Sequence, residues 1–530
     1  MSSEIVTGER QELRRSVTPW GSYSWGYADV GADIFVALGL VIGVAGGATN
    51  IAFLFAGLVY VAVGLAYTEL AAAYPVAGGG QYFVMRGLGD FLGFIAGWAV
   101  LLDFTIDITL FAWGCVGYLS HLPVLNVLDA SAHPLAHFWV ILALIAGLAV
   151  LNVIGVREST AFNGFVSAID VFSETLILVL GFLFTFHPEL LIHSMQSGWP
   201  NTFQLMNGIS LAIISFVGLE SISHAAEETN RPASIIPRTS ISLILTILIF
   251  ALAYSNLALG MQPWHPVPHD AAGHAQQFWH YLGAVQNQDK AVAVMATNIP
   301  YFGLLAAFYV PVFGATLLLI SSNSGVFGSS RIAYAMSQFQ LLPSIFKRVH
   351  RKFKTPVISI AVFCTLAAIE LVFAALQGNF GYEFLGDLYA FGAAASYTLV
   401  FVALIALRLK DPLTPRKFLI PLNLKMRFKG EEVLFPIVAV IGFLGIFAIL
   451  IFVLLTHHIG RIAGPSWLLF GIVIYAIYRL RKKLPLFGSA PRNWNRDQVQ
   501  ILKNAGELEL MDELVGKLKA RDPNFTMRTP

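Results

Sequence analysis

Tyr27-Ala28-Asp29-Val30-Gly31-Ala32-Asp33-Ile34-Phe35 opens an apolar run that continues to about residue 46 and carries a glycine and two acids within it. An acid at membrane depth costs about 2.5–3.5 kcal/mol on insertion scales, and it persists where it faces protein, water or a ligand. The stretch therefore reads as the first half of a binding site inside a membrane-spanning helix.

The chain around it supports a membrane reading. Its 530 residues are 56% hydrophobic and 12% charged, with a mean hydropathy of +0.70, whereas soluble domains are about 25% charged. This is the composition of an all-α polytopic protein held in a lipid bilayer. The net charge of +2, from 33 basic and 31 acidic residues, leaves no basic excess for nucleic acid. Cys115 and Cys364 lie far apart in apolar segments, so they offer neither metal spacing nor a disulfide framework. The polar start (Glu4, Glu9, Arg10, Glu12, Arg14, Arg15) has no compact apolar region with a cleavage site, which argues against a cleaved signal peptide.

Apolar runs of about 20 residues are long enough to cross the hydrocarbon core. They fall at roughly 26–46, 50–74, 91–120, 135–156, 162–186, 203–226, 236–260, 298–328, 356–377, 383–408, 433–456 and 464–481, which predicts twelve spans. With the N-terminus inside, only Lys290 and Arg461 remain in external loops. Arg86, Arg157, Arg231, Arg238, the 347–354 group, the 408–429 group and 479–483 all fall inside. That asymmetry is the positive-inside pattern, and it places both termini in the cytoplasm of a multi-pass plasma or inner membrane protein. The expected organisation is a cytoplasmic segment 1–23, a transporter domain 24–482 and a cytoplasmic tail 483–530.

Two loops stand out. The external excursion Met261–Asn298 holds Trp264, His265, His269, Asp270, His274 and His280, at spacings that suit a polar cover better than a metal site. In the tail, Val499, Leu502, Leu508, Leu510, Leu514 and Leu518 recur among charges, as in an amphipathic helix either docked on the cytoplasmic face or solvated.

The most specific text follows the second span: Tyr67-Thr68-Glu69-Leu70, then Tyr74-Pro75-Val76-Ala77-Gly78-Gly79-Gly80-Gln81-Tyr82, Gly93, Gly97-Trp98 and Leu102-Asp103-Phe104. It resembles the amino acid–polyamine–organocation permeases, which carry a similar E-L-x-x-x-x-P-x-x-G-G-x-Y stretch followed by G-x-x-x-G-W. Phe216-Val217-Gly218-Leu219-Glu220 running into Glu227-Glu228 and Ile236-Pro237 is similar to the same family, as is Ser330-Arg331-Ile332-Ala333-Tyr334-Ala335-Met336 with Leu342-Pro343 and Thr355-Pro356. The resemblance covers about residues 24–410. It implies a LeuT-like fold of two inverted five-helix repeats, about 24–186 and 203–408, with helices 1 and 6 broken and two extra helices in 433–482.

Gly31 and Gly218 occupy corresponding positions of those repeats. Paired interruptions of this kind mark a midplane site where free backbone groups meet a ligand, although a glycine in a membrane helix also serves close packing. In the family the backbone amides at Gly31, Ala32, Asp33 and Ile34 would bind a substrate carboxylate, and the second glycine of the family's G-x-G-I-F is here Asp33. A carboxylate there would repel such a substrate. Four roles stay open for Asp33: a group that takes a proton as substrate binds, a partner for a substrate amine, a ligand of an inorganic cation beside Asp103, Asp107 or Glu220, or a simple helix cap. Asp107, one turn from Asp103, joins the candidate substrate site, with Phe216 as a lid and Val217, Gly218 and Glu220 at the second break. In the fifth span, the lysine of proton-coupled relatives is replaced by Asp170, seven residues after Asn163. With hydroxyls of Ser321, Ser322 or Ser324 it is a candidate coupling-ion site for Na⁺, or by itself for H⁺. Glu227 and Glu228 facing Arg86, Arg157 or Arg331 form a candidate gate, and Glu69 is expected to have a fixed partner.

These features predict a secondary carrier of an amino acid or related amine working by alternating access, without a cofactor. An inorganic cation carrier of the potassium type and a nutrient sensor signalling through the tail are the alternatives. No nucleophile–base pair, nucleotide loop or metal cluster points to an enzyme.

Overall fold

The computed structural model describes residues 18–525 apart from 77, 156–159, 219, 225, 227, 228, 230, 269–275, 429, 458 and 524. Among the described residues eleven runs are long and apolar enough to cross a membrane. The first, Pro19–Ala73, is 55 residues long. It contains three helices: α1 (Pro19–Val30), α2 (Asp33–Ala45) and α3 (Thr49–Ala73). A short helix α4 (Gly79–Leu88) leads into α5 (Asp90–Ser120), α6 (Pro134–Ile154), α7 (Thr160–Phe184) and the short α8 (Pro188–Ser197). The next apolar run is broken into α9 (Thr202–Ala212), a 3₁₀ turn (Ile213–Phe216) and α10 (Glu220–His224). Then come α11 (Pro232–Gly260), the short α12 (Phe278–Leu282) and α13 (Ala291–Thr297), and the long α14 (Gly303–Gln338). The chain continues with α15 (Val357–Leu376), α16 (Gly381–Lys410), α17 (Ile437–Thr456), α18 (Gly460–Arg481), α19 (Trp494–Asn504) and α20 (Leu508–Arg521).

The two expected breaks differ in kind. At the second, Val217 is extended and Gly218 takes φ +103°, a conformation that favours glycine, so the helix is truly unwound. At the first, Gly31 (φ −62°, ψ −36°) and Ala32 keep helical dihedrals, and the Gly31 N–H still bonds the Tyr27 carbonyl at 2.7 Å. The interruption there is a slight stagger. A Cβ on Gly31 would lie 2.6 Å from the Tyr27 ring, so this glycine also serves packing.

Packing pairs elements distant in sequence. The most extensive interface sets α5 against α14, and α3 against α11 is among the next largest; α2 also packs on α9, and α6 on α15. Buried polar contacts fix the ends. Glu69, fully buried on α3, takes hydrogen bonds from Arg408 of α16 at 2.5 and 2.6 Å and from the Ile420 N–H at 2.9 Å. Arg408 is thus the partner that the sequence required but did not name. The indoles of Trp98 and Trp467 stack with centroids 4.8 Å apart and each donates to the other's carbonyl at 2.8 Å, fastening α18 to α5.

Two features modify the expected picture. The polar linker after α16 forms an antiparallel β-hairpin, β1 (Asn423–Phe428) with β2 (Glu431–Pro436), so the chain is mostly helical rather than purely so. The tail contains two helices, α19 and α20, and they dock. Glu69→Ala leaves the buried Arg408 guanidinium uncompensated, a loss of roughly 3–5 kcal/mol. The expected outcome is a large drop in thermal stability in detergent, read by size-exclusion chromatography after heating, with Glu69→Asp retaining more of it than Glu69→Ala.

Candidate functional site

The stagger at 31–32 and the break at 217–218 bring five carboxylates into one interior. Asp29 and Asp33 come from α1 and α2, Asp103 and Asp107 from one face of α5, and Glu220 from the start of α10; all five are buried and Asp33 completely so. The charged groups that act on Asp33 are Asp107, Asp29, Asp103 and Glu220, every one an acid. Two like charges 4 Å apart repel by about 4 kcal/mol at an effective dielectric near 20, so such an interior calls for protons or for a cation.

These acids differ in how they are held. Asp29 accepts hydrogen bonds from Ser221 of α10 and from Ser324 of α14. Glu220 accepts from the Gly218 N–H at 3.2 Å and from Tyr397 of α16 at 2.7 Å, which ties the unwound backbone to α16. Asp33 is different. It stands at the first position of α2, yet its side chain makes no cap bond, and among the described residues neither of its oxygens has a hydrogen-bond partner. One oxygen each of Asp103, Asp107 and Glu220 is likewise unpartnered there, as is the buried Tyr60 hydroxyl. Room for these groups comes from glycines: a Cβ on Gly325 would lie 2.6 Å from Asp107 Oδ2, and one on Gly218 would lie 3.0 Å from Asp29 Oδ2.

Phe216 is buried, stacking on Tyr60 with centroids 4.9 Å apart and meeting Phe53 edge-on. Gly31, Ala32 and Ile34 are buried around Asp33, and Val217 and Gly218 lie against α1, where a Cβ on Gly218 would sit 2.9 Å from Val30. The substrate-site candidates therefore come together at one level of the fold.

The coupling-ion candidates divide into two groups. Asp170 lies with Glu174 on α7, and the Tyr27 phenol donates to Glu174 at 2.6 Å. Asp170 also lines a cavity of about 10 Å³ with Ser167, Tyr27, Ala28, Leu317 and Ile320, room for a single water-sized particle. Ser321 donates instead to the Asp29 carbonyl at 3.2 Å, Ser322 to the Ile108 carbonyl at 2.8 Å, and Ser324 to the Asp29 carboxylate.

Of the gate candidates, Glu227, Glu228 and Arg157 lie outside the described residues, as do His269, Asp270 and His274 of the long loop. Arg86 is buried and committed elsewhere: it bonds Asp411 and Gln498, each at 2.6 Å, and lies 4.5 Å from the Tyr74 ring centroid. Burial works to raise the Asp411 carboxyl, but Arg86 and Arg416 hold it below the usual range. Arg331 stacks on the Phe327 ring at 3.6 Å. On the opposite face Lys290 is buried and joins α13 to the end of α5, bonding Asp129 at 2.5 Å and Ser120 at 3.3 Å. Burial opposes ionisation of Asp129, yet hydrogen bonds from Lys290 and Ser131 hold it at about 2. Beside it, burial pushes Asp289 up to about 6, against the pull of Lys290.

The sequence reading missed Asp29, Tyr60 and Tyr397 as members of the site. Asp29–Asp33 repeats the one-turn spacing of Asp103–Asp107, a signal that was available. No local signal marks Tyr60 or Tyr397, whose place depends on α3 and α16.

Apolar helices around a buried acidic interior define a multi-pass membrane protein of the transporter class. Residues 22–478 match the family model described as Amino acid permease, and the chain belongs to that family, as the resemblance in its motifs implied. It is 26% identical to the branched-chain amino acid permease BcaP of Bacillus subtilis, over 85% of this chain and 90% of that one. It is also 26% identical to a methylthioribose transporter of the same organism, over 74% of this chain and 80% of the relative. With the low-affinity putrescine importer PlaP of Escherichia coli it shares 24% identity, over 75% and 82% of the two chains.

An acid whose folded value lies above its ordinary one binds its proton more tightly when folded, so its contribution to stability falls as pH rises through that interval. For Asp289 the interval runs from about 4 to 6. Asp289→Asn, which keeps the size and shape of the side chain, is expected to raise thermal stability at pH 7.5 by up to roughly 3 kcal/mol and to change nothing at pH 4. Thermal unfolding of the purified protein at the two pH values checks this; equal gains at both would refute it.

Proposed function

We propose that the protein is a secondary active carrier that moves an amino acid or related organic amine by alternating access, and that the interior around Asp33 is its substrate site. The observation that carries this is Asp33 itself: completely buried, without a hydrogen-bond partner among the described residues, and surrounded by acids beside an unwound helix. A substrate ammonium supplies the missing donor and the missing charge together. The free N–H groups near the start of α2 offer a second point of attachment. The relatives' names, covering branched-chain amino acids and putrescine, support this range of substrates.

Counting Pro19–Ala45 and Thr49–Ala73 as separate crossings gives twelve spans. The pairing of α3 with α11, α5 with α14, α2 with α9 and α6 with α15 then joins elements five spans apart. That is the pattern expected of two interleaved inverted repeats with breaks in the first and sixth spans. The distribution of basic residues among the loops supports a cytoplasmic position for the face bearing Arg86, Lys347–Lys354 and the tail, in a plasma or inner membrane. Asp170, beside its small cavity between α1, α7 and α14, is the coupling residue, taking H⁺ or Na⁺. Nothing in this reading requires catalysis or a cofactor.

Counterflow in proteoliposomes, with amino acids, polyamines and potassium tested in turn, identifies the cargo; exchange of potassium alone would make the protein an inorganic cation carrier instead. Asp33→Asn is expected to lower the initial rate of amine or amino acid exchange at least tenfold, and unchanged affinity and rate would remove Asp33 from the site. Asp170→Asn should spare counterflow, which needs no gradient, while abolishing accumulation driven by a proton or sodium gradient.

A further inference from the structure

The tail is bound to the ends of four long helices, and those four belong to two different packed pairs. On the α3–α11 pair, Gln498 of α19 donates to the Ala73 carbonyl at the end of α3 at 2.8 Å. Glu507, between α19 and α20, accepts from the Ala233 N–H at the start of α11 at 3.1 Å. Both backbone groups are helix-end orphans with no intrahelical partner. The α19–α20 hairpin then closes Val499, Leu502, Leu510, Leu514 and Leu518 over Ala233. On the α5–α14 pair, Arg492 bonds Asp90 at the start of α5 at 2.5 Å and the Phe339 carbonyl at the end of α14 at 3.1 Å. The Ala490 N–H adds a 3.0 Å bond to Asp90. Arg86 links the first attachment to the end of α16, bonding both Gln498 and Asp411.

The carboxylates of the interior are buried in this conformation, so a ligand reaches them only when helices part on one face or the other. On the tail-bearing face, parting the α3–α11 pair from the α5–α14 pair stretches a segment that grips both. We infer that the C-terminal helical hairpin is an intramolecular clamp that favours the state closed on its own face, and that opening on that face requires it to release one of the two pairs. Bonds present in one state and absent in the other shift the population between them, whatever their distance from the ligand. A clamp of this kind makes the rate of opening sensitive to anything that binds or modifies the tail.

This inference rests on the alternating-access reading, and the test separates the two. In a Cys115→Ser, Cys364→Ser background, Ser223→Cys places a thiol on α10, buried on the tail side of the break. Its alkylation rate by a small maleimide in proteoliposomes reports opening on that face without requiring transport. The double variant Gln498→Ala, Glu507→Ala removes the two polar bonds that hold the hairpin to α3 and α11, and Arg492→Ala removes its side-chain bonds to Asp90 and Phe339 on the α5–α14 pair, leaving that of the Ala490 N–H. Each is expected to speed alkylation at least threefold and to raise the counterflow rate in parallel. Unchanged or slower alkylation in a variant that remains monodisperse overturns the clamp and makes the tail a static brace. If the double variant does not fold, Arg492→Ala decides alone. Absence of counterflow from the parent protein with every substrate would instead count against the carrier reading, leaving the alkylation rates to judge the clamp.

Discussion

Removing charge from water is the dominant constraint on this molecule, because a bilayer offers no solvent to repair an unmade bond. Two buried carboxylates at helix ends are closely compensated. Glu69 receives two bonds from Arg408 and one from a backbone N–H, and Asp90 is held by Arg479, Arg492 and the Ala490 N–H. Around Asp33 that compensation is missing among the described residues, and the contrast within one protein is what separates scaffold from candidate site.

The same constraint explains why helix ends matter so much. Each long helix leaves orphan carbonyls and amides at its termini. Here several of them are met by side chains from remote parts of the chain: Gln498 reaches the Ala73 carbonyl, Arg492 that of Phe339, and Glu507 the Ala233 amide. One face is therefore knit together by polar contacts, while the apolar middle of the bundle is left to packing. Small residues govern that middle: Gly325 and Gly328 on α14 accommodate Asp107 and the Phe104 ring of α5, within the most extensive helix interface of the protein.

Most helix boundaries were legible to within about four residues, because a run of about 20 apolar residues has few other ways to bury itself; α1 starts at Pro19, well before the expected 26, and α14 runs on to Gln338, well past the expected 328, where polar residues continue each helix. The unwinding at Gly218 was legible too. Gly31 looked equivalent in sequence, yet its backbone stays helical and its missing side chain makes room for the Tyr27 ring. The 423–436 hairpin escaped notice because β1 is polar and mostly exposed like any linker, while the Val433-Leu434-Phe435 stretch of the half-buried β2 reads as the start of the next apolar span. Of the candidate site, the acids in α2, α5 and α10 could be read as costly residues in apolar runs, whereas Tyr60 and Tyr397 could not be told from packing aromatics.

By itself the sequence determined that this chain lives in a membrane, where most of its apolar spans lie, and which family it belongs to. Those properties reside in local runs of hydropathy and in short motifs. Tertiary structure alone decided which buried polar groups are matched: Glu69 with Arg408, 339 positions apart, Asp29 with Ser221, 192 apart, and Gln498 with Ala73, 425 apart. Hydropathy states that a buried charge must have a partner. Only the packing of helices from opposite halves of the chain can choose which partner arrives, and which acid is left without one.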